Sequence, residues 1–212
     1  MYCKAFKQNV PCSTHAGRAM TFLKHNPRPA GDEIATTSEA PLQRQLSSLA
    51  HWKSKMNAAH KELLDEFQKF ARDSTSAQNL MERIAARIHE KMTRYNWAGF
   101  YLVDPADVGF LVVGPYAGSF TPNVRIPLTK GLCGLAATSG QTVVVQDVTT
   151  DTRYLAGSAL VKSEIVVPIF ANKKLAGELD IESYFPATFT TTERAFVEAT
   201  AVLVGHSLET KR

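Results

Sequence analysis

Helical spacing marks the two ends of this chain, and a series of short β-type segments joined by turn residues runs between them. That order confines the fold. Strands linked by tight turns pair antiparallel, and the flanking helices must cover the sheet they form. On the N-terminal side Leu42, Leu46, Leu49, Trp52 and Met56, then Leu63, Phe67 and Phe70, recur at intervals of three, four and seven residues, the stripe of one helix face. Such a stripe serves either as a helix packed on its own domain or as the contact helix of a homodimer. Ser74-Thr75-Ser76 offers an N-cap for a second amphipathic helix marked by Leu80, Ile84, Ile88 and Met92. At the other end Thr190-Thr191-Thr192-Glu193 is a capping box opening a helix that runs to about Leu208.

Between these ends six segments have strand character: Trp97–Val103, Phe110–Val113, Val124–Leu128, Thr142–Gln146, Glu164–Phe170 and Leu175–Ile181. Asp104-Pro105 and Asp107-Val108-Gly109 turn the first into the second, and Ala171-Asn172-Lys173-Lys174 reads as a hairpin. Gly131 to Ser139 is small, apolar and helix-compatible, with Gly140 as its C-cap. Asp147 to Lys162 is polar and aperiodic, a loop with room for a short helix. The expected fold is α+β, one antiparallel sheet between N- and C-terminal helices.

Composition narrows the function. A hydrophobic share of 44% with 21% charged residues is that of a soluble globular protein. The longest apolar runs, such as Ala201-Val202-Leu203-Val204, are far too short to span a bilayer. The net charge is +4, residues 1–41 supply about half of it, and no basic patch with interleaved aromatics invites nucleic acid. Residues 1–41 contain Pro11, Pro27, Pro29 and Pro41 without sustained periodicity and read as a flexible extension before a domain at 42–212. The first 31 residues lack Asp and Glu, as transit peptides do, but also lack the apolar core of a secretory signal; Met20 is a candidate alternative start. Three cysteines, Cys3, Cys12 and Cys133, make neither a disulfide framework nor a CxxC or Cys/His metal motif, so no metal or cofactor is expected and a reducing cytoplasm is the default compartment.

Four segments carry a more specific signal: Asn96-Trp97-Ala98-Gly99-Phe100-Tyr101, Arg125-Ile126-Pro127 leading to Gly131-Leu132-Cys133-Gly134, Ser163-Glu164-Ile165-Val166-Val167-Pro168, and Gly177-Glu178-Leu179-Asp180-Ile181-Glu182-Ser183. In this order and spacing they resemble the GAF domain of the free methionine-(R)-sulfoxide reductase family, over about residues 42–208. The resemblance implies a six-stranded antiparallel sheet with helices packed on it. It also implies a chemistry. A thiolate attacks the sulfoxide sulfur of the free amino acid, leaving methionine and a sulfenic acid. A second thiol condenses with the sulfenic acid to a disulfide, and thioredoxin restores the pair.

The thiols that chemistry needs are missing here. The family's catalytic cysteine falls six residues before the Ser of the SEIV phrase, at Gly157, and its usual resolving cysteine falls two before the Arg of RIP, at Asn123. Cys133 matches the remaining family cysteine, which is not the nucleophile. The resemblance further implies that Trp97 and Tyr101 line the apolar side of a ligand cavity while Glu164, Asp180 and Glu182 face its polar end. Asp180 and Glu182 are two apart on one strand and share a face. Read as residues alone, that face is either a wet sheet surface or a pocket wall. Three functions follow: a non-catalytic module binding a small zwitterion such as methionine or its sulfoxide; an active thioredoxin-dependent reductase using Cys133; or a homodimeric interaction module with a vestigial pocket.

Overall fold

The computed structural model describes residues 50–121 and 123–211. The extension expected over residues 1–41, and Leu42, Leu46 and Leu49 of the long stripe, lie outside them. Within the described residues the stripe is not one helix. A helical run at 50–54 ends, and Asn57 starts afresh, its side chain accepting from the His60 backbone N–H at 2.9 Å to cap α1, Ala58–Asp73. Leu63, Leu64 and Phe67 form the buried face of α1. Ser76 caps α2, Ala77–Lys91, which buries Leu80, Ile84 and Ile88. Arg87 of α2 holds Glu66 of α1 and so fixes the two helices side by side.

The sheet is built from β1 (Trp97–Val103), β2 (Phe110–Gly118), β3 (Arg125–Pro127), β4 (Val143–Val145), β5 (Ser163–Ala171) and β6 (Lys174–Ser183), in the order β3-β2-β1-β6-β5-β4, every pair antiparallel. β5 and β6 are joined by a tight hairpin with Asn172 and Lys173 at φ 51° and 63°, the left-handed pair that matches strand twist. α3, Gly131–Ser139, stops at Gly140 with φ 65°, where a side chain would be strained. The polar loop after β4 carries one short 3-10 turn, Val148–Thr150. The final helix α4, Thr191–Thr210, opens on the Thr190/Glu193 capping box.

Strand alternation divides the interior into two layers. Ala98 and Phe100, Ile165 and Val167, and Leu179 and Ile181 face α1, α2 and α4 in one apolar core. Phe67, Phe100 and Phe196 are fully buried there, each worth about 1.5–3 kcal/mol on transfer from water. The intervening residues of the same strands face α3 and the 147–162 loop, in a second core that includes Trp97, Tyr101, Cys133 and Val166. No helix among the described residues is long and apolar enough to cross a membrane.

Candidate functional site

The second layer contains four acids. Glu178, Asp180 and Glu182 alternate along β6, and the β5 register sets Glu164 directly opposite Glu182 and Val166 opposite Asp180. Glu178 is completely buried, and Glu164 and Asp180 are each 4% exposed. Like charges opposed across a ladder repel, and buried carboxylates without partners are expensive. Here the partners are few. Both oxygens of Glu178 and Oδ1 of Asp180 lack hydrogen-bond partners, and among the described residues no ion pair joins a base to any of the four acids.

Burial pushes the Glu164, Glu178 and Asp180 carboxyls well above their ordinary range, with neighbouring acids adding to the shift. Burial also takes Glu182 up to about 7. The pocket wall is thus a set of carboxyl groups that share protons when nothing positive is bound.

Cys133 reaches this wall from α3, its Sγ donating to Asp180 Oδ2 at 3.9 Å. The thiol is buried, and burial together with Glu178, Asp180 and Glu164 raises its pKa. A buried thiol held protonated beside three acids is a poor nucleophile. A cavity of about 20 Å³ separates the acids from the loops, walled by Tyr101, Asn123, Cys133, Leu155, Glu164 and Asp180 among others. Glu182 also lines it. Outside, an open groove of about 630 Å³ runs past Lys130 and Arg153, and Gly131 and Leu155 belong to both spaces.

The loops bring Gly157 and Asn123 together at the cavity mouth. A β-carbon on Gly157 would lie 3.4 Å from Glu182 Oε1 and 3.5 Å from Asn123 Nδ2, ordinary contact distances. The Asn123 amide donates to the Leu155 carbonyl at 3.4 Å, joining the two loops. The two positions at which the sequence lacks thiols are therefore neighbours.

Tyr101 stands at the cavity, its hydroxyl 3.5 Å from Thr121 Oγ1. Trp97 is set back. It is buried, packs on Tyr101 at 6.0 Å and Tyr116 at 5.4 Å, and does not line the cavity. Glu178 is a further acid of this wall, absent from the cavity residues that the family resemblance points to, although the period of two from Asp180 and Glu182 reaches it.

Residues 76–208 match the family described as GAF domain. The chain is 34% identical over 125 residues to the free methionine-R-sulfoxide reductase of Escherichia coli, a match covering 59% of this chain and 73% of that protein. Protein YtsP of Bacillus subtilis is 36% identical over 121 residues, 57% of this chain and 73% of the relative. The structure of free methionine-R-sulfoxide reductase from Neisseria meningitidis, in complex with its substrate, superposes with a TM-score of 0.68 at 34% identity, over 72% of this chain and 91% of that one.

Proposed function

This chain belongs to the GAF domain family and is related to the free methionine-R-sulfoxide reductases, and we propose that it binds a small zwitterion without reducing it. The ligand candidates are free methionine and its sulfoxide. The observation that carries the reading is the row of buried acids with no ion-pair partner among the described residues, walling a cavity that Tyr101 also lines. Carboxylates in a dry pocket pair with an ammonium group, and an aromatic face adds about 0.5–2 kcal/mol for a cation.

An amino acid needs more room than about 20 Å³, which is about the space of one water. Leu155 lies between the cavity and the larger groove, so moving it outward would join the two spaces. Glu164, Asp180 and Glu182 would then take the ammonium group, Tyr101 would flank the ligand's body, and Trp97 would support Tyr101 from behind. The non-catalytic part of the proposal rests on Gly157 and Asn123, which offer no thiol at the mouth, and on Cys133, whose thiol is buried and held protonated. Thioredoxin is a partner only for a chain that turns over.

The test is calorimetric titration of free methionine-(R)-sulfoxide run beside a thioredoxin-coupled turnover assay. Binding without turnover is expected. Turnover abolished by Cys133→Ser would overturn the non-catalytic reading and make the buried thiol a recruited nucleophile. Absence of both would overturn the ligand reading and favour a homodimeric interaction module.

A further inference from the structure

We propose that Cys133, Glu164 and Asp180 form a site for one divalent cation of the zinc class, with Glu178 the adjoining carboxylate. The three side chains come from α3, β5 and β6, and one donor atom of each lies within 4.8 Å of the other two. Around tetrahedral zinc, sulfur at about 2.3 Å and oxygen at about 2.0 Å from the metal stand roughly 3.5 Å apart. The Cys133 Sγ to Asp180 Oδ2 separation is 3.9 Å, so a small inward closure completes that edge.

A cluster of acids alone would not justify an ion. The second observation is that buried donors are left over. Asp180 Oδ1, on a residue only 4% exposed that lines the cavity, has no partner, and neither oxygen of the wholly buried Glu178 beside Cys133 has one. Buried polar atoms left in that state call for an explanation, and a bound cation is one that engages all of them. A single ammonium brings one positive charge to four acids and a thiol, whereas a divalent ion brings two and can engage several of them at once. Size agrees as well. The cavity of about 20 Å³ has room for one water or one ion. A thiolate among the donors selects borderline cations such as zinc or cobalt over magnesium and calcium.

The site is invisible to local spacing because its donors are scattered along the chain and meet only through the β5–β6 register and the seating of α3. It goes beyond the amino-acid reading and makes the two occupants mutually exclusive, since both need Glu164 and Asp180.

The test uses the full chain, stripped with EDTA, carrying Cys3→Ser and Cys12→Ser so that Cys133 is the sole thiol, and titrated with Co²⁺. One cobalt per chain is expected, with a thiolate-to-cobalt charge-transfer band displaced by Zn²⁺. Cys133→Ser should remove the band, and Asp180→Asn should weaken uptake by about tenfold or more while the thermal transition persists. A band that survives Cys133→Ser, or uptake unchanged in Asp180→Asn, would overturn the proposal, as would no uptake at all. Calorimetry of methionine sulfoxide on the same stripped protein separates the two readings. Cobalt uptake without sulfoxide binding leaves this site standing and sinks the amino-acid ligand. Sulfoxide binding without cobalt uptake does the reverse.

Discussion

On the face covered by α1, α2 and α4, the central strands present Phe100, Ile165, Leu179 and Ile181, which meet Leu64, Phe67 and Phe196 in a layer of apolar side chains. On the face covered by α3, the same three strands present Tyr101, Glu164, Glu178 and Asp180, and several of those polar atoms have no partner. The backbone is shared, so the contrast lies wholly in the alternating side chains. One layer gains stability from every residue it buries. The other gives stability up, and groups that destabilise an empty protein persist where something is bound.

One substitution in each layer tests that division most sharply. Phe196→Ala should destabilise the fold by about 3–5 kcal/mol, read from urea denaturation, with the sulfoxide affinity of the remaining folded protein unchanged. Asp180→Asn should do the opposite. It should leave the stripped protein as stable or more stable, and weaken zwitterion binding by about 1.5–3 kcal/mol through the loss of a charged hydrogen bond. If Asp180→Asn instead unfolded the protein, the acid row would be structural and the contrast between the layers would fail.

The layers also differed in how far they could be read from the sequence. The apolar layer was legible because Leu63, Phe67, Leu80, Ile84 and Ile88 obey helical spacing, and caps at Ser76 and Thr190 fix where two of the helices start. The long stripe misled at one place, since hydrophobic spacing continues through Met56 while Asn57 starts a new helix with its side chain. On the pocket face alternation gives Asp180 and Glu182 a shared side, and one further step of the same alternation reaches Glu178. That Glu164 opposes Glu182, that Cys133 lies on Asp180, and that Trp97 sits behind Tyr101 depend on register and helix seating, which no local pattern encodes.

A milder change asks whether the pocket face lacks only its thiols. Gly157 has no positive φ, and a β-carbon there meets nothing closer than 3.4 Å, so Gly157→Cys should alter stability by less than about 1 kcal/mol. Paired with Asn123→Cys, it sets two thiols side by side at the cavity mouth. The double variant should consume methionine-(R)-sulfoxide with thioredoxin recycling at a rate above the parent's. Binding retained with no turnover would mean that the loop, and not merely the missing sulfur, has diverged from a reductase.

The smallest effect concerns His60, a buried titratable group on the apolar face. His60 of α1 is 1% exposed, stacks on Phe196 at 4.9 Å, and leaves Nδ1 without a partner. Burial lowers its pKa below the ordinary 6.5, and Glu193 opposes the shift only in part. The folded protein therefore holds His60 neutral where the unfolded chain has already taken up a proton. Its contribution to stability is complete above pH 6.5 and is lost as pH falls through the interval below. The pocket acids have raised values and titrate with the opposite sign, adding stability as the pH drops. The two layers thus pull the stability curve in opposite directions over neighbouring pH ranges, and a single curve cannot separate them. The difference between wild-type and His60→Phe denaturation curves can. That difference should be flat above about pH 6.5 and grow in the variant's favour at lower pH. A flat difference throughout would mean that the ring finds a proton acceptor in the fold, and that the apolar layer is less dry than its neighbours imply.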